Sequence, residues 1–169
     1  MDETISSLFE RVRAFAASLP AGTSVHGRPK DGLLPFSLYR KGRQNIDRLG
    51  DEINACFEYR IYDGCAVLLR RLIETLLIFS FDNKGLADSI KDSNGDYLQL
   101  SGIIKKAIGS NPLGLTRNAR QFLPKVCLQG HLSAHNPFYC ARERDFDSTT
   151  QLEIRTIIDE LMHASGIVK

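Results

Sequence analysis

The sequence lacks any apolar run long enough to cross a membrane. A spanning helix needs about 18 such residues, whereas the longest run, within 76–81, is interrupted by Ser80 and ended by Asp82. The first twenty residues carry the acids Asp2 and Glu3 and lack the apolar segment of a secretory signal. We therefore expect a cytoplasmic protein with no membrane partner.

Paired cysteines are also missing. None of the four cysteines, Cys56, Cys65, Cys127 and Cys140, belongs to a C-x-x-C pair. Without an export signal, reduced thiols are the expectation. Cys56 and Cys65 lie in strongly apolar stretches, and we predict that they are core residues.

The composition shows no extreme bias. Apolar residues make up 43% and charged residues 25% of 169 residues, which argues against a disordered chain, a collagen or a disulfide scaffold. This length suits one domain with its own core. The 22 basic and 20 acidic residues leave a net charge of +2, which neither favours nor disfavours nucleic acid.

Carboxylates are absent from the whole stretch between Tyr97 and Arg142. If the basic side chains of this stretch share a face, they form an anion-binding surface for phosphate, and they are candidate nucleic-acid-binding residues. The alternative is that acidic helices pack beside them and neutralise them. The six residues are Lys105, Lys106, Arg117, Arg120, Lys125 and Arg142.

Strand-like alternation is missing beyond a few residues, and helical spacing dominates. An amphipathic helix is predicted over 2–19, followed by a stretch rich in proline and glycine. We assign 1–33 to this N-terminal helix and linker, and 34–169 to the main body. The stretch 61–77 is apolar on nearly all sides, which is typical of the central helix of a bundle. The sequence therefore predicts an all-α fold with six or seven helices.

Several residues mark helix ends. Asp96 is a candidate cap for a helix over 100–108. Thr116 is the candidate cap of a short helix that ends before Pro124, and Pro124 suits the first turn of the next helix. Asp147 or Ser148 begins the last helix.

Two of the four histidines, His131 and His135, lie one helical turn apart. That spacing suits a shared zinc ion, but Cys127 would lie about 12 Å from His135 along a helix axis. No glutamate follows His131, so we predict no metal and no cofactor. Ser133 lacks the G-x-S-x-G elbow of a nucleophile. The remaining hypothesis is a phosphodiester site, in which a histidine acts as general acid or base on a ribose hydroxyl and a nearby cation stabilises the phosphorane.

A polar cluster interrupts the most apolar stretch. Arg70 and Glu74 are four residues apart and can pair on one helix face, with Arg71 beside them. A structural ion pair is the simpler interpretation. The alternative is an arginine that fixes the histidine segment.

Three motifs resemble the HEPN-like family of bacterial helical domains of unknown function. The segment 59–77 is similar to its A-x-x-L-x-R-R-x-x-E-x-x-L helix, and LPFSL at 34–38 fits its opening Leu-Pro run. GHLSAH at 130–135 takes the place of its G-N-x-x-A-H signature, and 149–163 would be its terminal helix. The resemblance spans about residues 34–165.

The resemblance implies an antiparallel helical bundle, often a homodimer, of the kind found in prokaryotic defence and toxin–antitoxin systems. Catalytic HEPN members are metal-independent endoribonucleases in which four to six residues separate an arginine from a following histidine. His135 is the matching histidine, but positions 128–130 hold no arginine, and His131 replaces the asparagine. We therefore carry two hypotheses: an RNA-associated protein in which His135, assisted by His131 and a spatially near arginine, acts on RNA, and a non-catalytic dimerisation or adaptor module in which His135 holds the following loop.

Overall fold

The computed structural model describes residues 32–168, and this part of the chain is built from helices. Six α-helices are joined by connecting segments, and the two longest segments each contain a 3-10 turn, at Ala87–Ile90 and Glu143–Phe146. They are α1 Phe36–Tyr39, α2 Gln44–Glu58, α3 Tyr62–Asn83, α4 Leu100–Gly109, α5 Arg117–His135 and α6 Ser148–Ala164. The all-α bundle is confirmed over these residues, where a single isolated bridge joins Lys91 and Tyr97.

The predicted helix over 2–19 lies outside the described residues. Leu33, which the sequence places at the end of the linker, is fully buried in the core. Its carbonyl accepts a hydrogen bond from Arg155 Nε (2.8 Å), and the amide of Leu34 donates to Asn54 (2.8 Å). The chain is therefore already part of the bundle at Leu33.

The central helix of the bundle is α3, as the sequence predicts. It packs against α2, α5 and α6, so apolar residues are needed on several of its sides. Its innermost residues are at most 1% exposed: Cys65, Leu69, Leu72, Ile73, Leu76 and Leu77. None of the described helices has the length and hydropathy of a membrane span.

Helices α3 and α5 run antiparallel and approach each other closely. Gly130 lies against Ala66, and Cys127 lies beside Arg70, one turn further along α3. A Cβ atom at position 130 would stand 2.5 Å from the carbonyl oxygen of Ala66. The glycine of the GHLSAH segment therefore lets the two backbones meet.

The prediction of a helix boundary at Pro124 is wrong. One continuous helix runs from Arg117 to His135 with Pro124 inside it. Proline removes the amide that would bond to the carbonyl four residues earlier, but Leu123 and Val126 beside it are buried. Packing of this inner face keeps the helix continuous. The predicted cap is confirmed, because Thr116 accepts a hydrogen bond from the amide of Ala119.

The predicted cap at Asp96 is also wrong. Helix α4 is preceded by Gln99, and no side chain caps it. The carboxylate of Asp92 instead accepts hydrogen bonds from the amides of Asn94 (2.8 Å) and Asp96 (3.1 Å). Asp96 thus belongs to a turn organised by Asp92, which is the local bonding that aspartate favours outside helices.

Candidate functional site

Two exposed imidazoles lie on the outer face of α5. The ring centroids of His131 and His135 are 4.9 Å apart, with an angle of 51° between the planes. Neither ring forms a hydrogen bond or ion pair within the described part of the chain. Their nitrogens are therefore directed to solvent or to a ligand rather than to the fold.

Two of the predicted basic residues share this outer face. Arg117 and His135 are five helical turns apart, so they project from the same line of α5 about 27 Å apart. Lys125 is exposed between them, with Nζ 5.2 Å from the ring centroid of Phe122. No aspartate or glutamate belongs to α5. The outer face of α5, meaning Arg117, Lys125, His131 and His135 with the exposed Leu128, is an acid-free strip.

The other predicted basic residues lie elsewhere. Lys105 and Lys106 are exposed on α4, and Arg142 is exposed beyond the end of α5. Arg120 is half-buried, and its Nε is buried without a hydrogen-bond partner among the described residues. The structure therefore places two of the six cations on the helix face that carries the histidines.

An acid from the last helix lies at the start of α5. The carboxylate of Glu160 accepts hydrogen bonds from the amide (2.8 Å) and the hydroxyl (2.6 Å) of Thr116. This position at a helix N-terminus is where a negative charge is most stabilising. One carboxylate of the last helix thus lies at this end of the strip, where it is bonded to Thr116 rather than to Arg117.

Among the described residues, the Arg70 cluster forms no hydrogen bond or ion pair with the histidine pair. Arg70 Nη1 lies 4.0 Å from Glu74 Oε2, which is the ion pair predicted from the spacing. Burial raises the pKa of Cys127 to about 12, while the nearby charge of Arg70 lowers it. Arg70 is therefore near Cys127, its Cβ atom lies beside Gly130, which precedes His131, and Arg71 is exposed. Among the described residues, no arginine or lysine hydrogen-bonds to either imidazole.

Asp63 fastens the loop that follows the histidine segment. Its carboxylate accepts hydrogen bonds from the amide of Ala141 (2.9 Å) and from Cys140 Sγ (3.4 Å). Burial opposes ionisation, but the Ala141 amide together with the side chains of Ser133 and Cys140 holds the pKa of Asp63 below its usual value. His135 makes no such bond, so the idea that it holds this loop is wrong. Sequence reasoning missed Asp63, although an acid in the first turn of the central helix is a usable signal.

Aromatic packing holds the end of the same loop. Phe146 is 2% exposed, and its ring stacks on Tyr62 at 5.7 Å between centroids. The amide of Arg142 donates to Asp145 (2.8 Å), which closes the preceding turn. The loop is therefore a fixed part of the surface beside the strip.

A groove of about 470 Å³ lies between α5, this loop and α6. It adjoins the strip, because Lys125 and Leu128 belong to both. Its remaining charges are mixed: Arg144 is basic, whereas Asp145 and Glu153 are acidic. The groove therefore has no single sign of charge, unlike the strip.

Neither a metal cluster nor a known relative identifies the site. Among residues 32–168, no group of three or more histidine, cysteine or acidic side chains could hold a metal ion. Comparison with known proteins finds no matching family model, no matching curated protein and no matching solved structure.

Proposed function

We propose that the chain is an RNA-associated protein of the HEPN-like kind, of the type found in prokaryotic defence or toxin–antitoxin systems. The observation that supports this proposal is the acid-free outer face of α5, which carries Arg117, Lys125 and two imidazoles that have no hydrogen-bond partner among the described residues. A phosphate chain is the anionic partner that a strip about 27 Å long would follow.

Binding through phosphates has a clear physical basis. Each phosphate that Arg117 or Lys125 neutralises releases condensed counterions, so affinity falls as salt rises. The imidazoles add hydrogen bonds to phosphate oxygens or to ribose hydroxyls. This arrangement recognises the backbone rather than the bases, and we expect little sequence preference.

The test is a titration of the full chain with fluorescent single-stranded RNA at several salt concentrations. We expect Arg117→Gln or Lys125→Gln to reduce the slope of log affinity against log salt by about 0.7 per lost contact. Lys41→Gln is the matched control, because Lys41 is an exposed cation outside α5. Absence of RNA binding at low salt, or an equal loss in Lys41→Gln, would contradict the proposal.

RNA cleavage is the catalytic form of the same function. One imidazole would accept the proton of the ribose 2′-hydroxyl as its oxygen attacks phosphorus, and the other would protonate the departing 5′-oxygen. Because no described cation hydrogen-bonds to His131 or His135, the binding form has the stronger support.

The same titration separates the two forms. Cleavage in EDTA to a 2′,3′-cyclic phosphate, abolished by His135→Ala and retained by His163→Ala, would establish the catalytic form. RNA that is bound and stays intact would establish the binding form.

The alternative of a dimerisation or adaptor module is favoured by exposed apolar side chains near the histidines. Phe138, three residues after His135, is 96% exposed, and Leu128 on the strip is 55% exposed. Burial of such side chains is a common driving force for association. If a dimer forms there, Leu128→Ser with Phe138→Ser yields a monomer by light scattering. Leu152→Ser, which changes a 66% exposed leucine on α6, would leave the dimer intact.

A further inference from the structure

The pair His131 and His135 also has the features of a metal-binding site. The two rings are exposed, unpartnered and held on a helix whose inner side is fixed against α3 by Gly130. Imidazole is the commonest protein ligand for transition metals. The described residues offer no third ligand, which argues against a closed structural site. An open chelate completed by water needs no third protein ligand.

The distance between the rings suits one shared ion. A coordinating nitrogen lies about 2.1 Å from the metal and about 1.1 Å from its ring centre, so each centroid lies about 3.2 Å from the ion. Centroids 4.9 Å apart then subtend an angle of about 100° at the metal. This angle lies between about 90° for square or octahedral coordination and about 109° for tetrahedral coordination.

We propose that His131 and His135 form a two-imidazole chelate for a divalent first-row transition ion on the outer face of α5. Nitrogen ligands bind Cu²⁺ more tightly than Ni²⁺ or Zn²⁺, and they do not favour Mg²⁺, which prefers oxygen. Exposure of both rings leaves the remaining coordination positions open to water. The chelate does not depend on RNA binding, because it uses only the two histidines.

Calorimetric titration of the full chain, carrying no affinity tag, with Cu²⁺, Ni²⁺, Zn²⁺ and Mg²⁺ tests the proposal. We expect one Cu²⁺ per chain at this site, weaker Ni²⁺ and Zn²⁺ binding and none for Mg²⁺. His131→Ala and His135→Ala should each weaken Cu²⁺ binding at least about tenfold, because each removes one of two ligands. The electron paramagnetic resonance spectrum of the Cu²⁺ form should show two equivalent imidazole nitrogens.

His163→Ala is the matched control, because His163 is also an exposed helical histidine and its nearest charged partner is Asp159 (3.8 Å). Its Cu²⁺ affinity should equal that of the native chain. Circular dichroism reports whether each variant keeps its helices, and His135→Gln provides a polar replacement. Equal Cu²⁺ affinity in the native chain, His131→Ala and His135→Ala, or a spectrum with one nitrogen, would overturn the chelate.

Discussion

At the scale of single residues, Gly130 shows how a surface motif can be fixed from the inside. The glycine is recognisable in the sequence as part of GHLSAH, but its reason is visible only in the contact with α3. A methyl group there would meet the Ala66 carbonyl oxygen at 2.5 Å and Arg70 Cβ at 2.6 Å. Backbone atoms cannot move aside as a flexible side chain can.

Gly130→Ala should therefore destabilise the fold although alanine is the better helix former. Overpacking of this kind costs about 1–3 kcal/mol, which exceeds the gain of about 1 kcal/mol in helix propensity. Urea unfolding measures the difference. Gly109→Ala is the control, because its Cβ would have nothing within 4 Å. Equal stability of the two variants would contradict this account of Gly130.

Asp63 makes a prediction about pH. Its pKa is lower in the folded state than the ordinary 3.8. The ionised carboxylate therefore stabilises the fold at pH values above the unfolded pKa, and this stabilisation is lost as the pH falls through the folded pKa. We expect Asp63→Asn to lower the free energy of unfolding by about 1–2 kcal/mol at pH 7.

The difference between native chain and Asp63→Asn should shrink as pH falls below the ordinary pKa of aspartate, because the native carboxylate then becomes neutral too. Urea unfolding at several pH values measures it. Asp82→Asn, which alters an exposed acid on the same helix, provides the comparison. A difference that stays constant down to low pH would show that the charge of Asp63 is not what holds the loop.

At the scale of elements, the sequence predicts helix starts better than it predicts continuity. Thr116 and Asp147 cap their helices as expected, and Asp147 accepts from the amide of Thr150 at 2.8 Å. Such caps are local and therefore readable. The predictions at Pro124 and Asp96 are wrong because they depend on contacts distant in the fold or loop. The helix continues through Pro124 because its inner face is buried, and Asp96 does not cap a helix because it belongs to the turn organised by Asp92.

Pro124→Ala should stabilise the protein, because it restores an amide that can bond to the carbonyl of Arg120. Proline inside a helix costs about 3 kcal/mol relative to alanine. Because the packing around Pro124 already offsets part of this cost, we expect the free energy of unfolding to rise by about 1 kcal/mol or more. Thermal unfolding measures it. Gln121→Ala, at an exposed position of the same helix, should change stability by only a few tenths of a kcal/mol. A neutral or negative effect of Pro124→Ala would contradict this reasoning.

At the scale of the whole molecule, the candidate site was only partly predictable. The acid-free stretch and the histidine spacing are visible in the sequence, and they lead to Arg117, Lys125, His131 and His135. Contacts between helices are not visible there. The pairing of Arg70 with Glu74 follows from spacing, but its place near Cys127 and Gly130 depends on how α3 packs on α5.

The tight seat of Gly130 has a consequence at the surface. His131 is its immediate neighbour. The backbone that carries this histidine is therefore positioned by the packing of α5 on α3 rather than by a flexible side chain. A larger side chain at position 130 would displace α5 slightly. The two imidazoles would then move relative to any ligand bound to them. Substitutions in the core can thus change the position of the two imidazoles without altering any group that contacts the ligand.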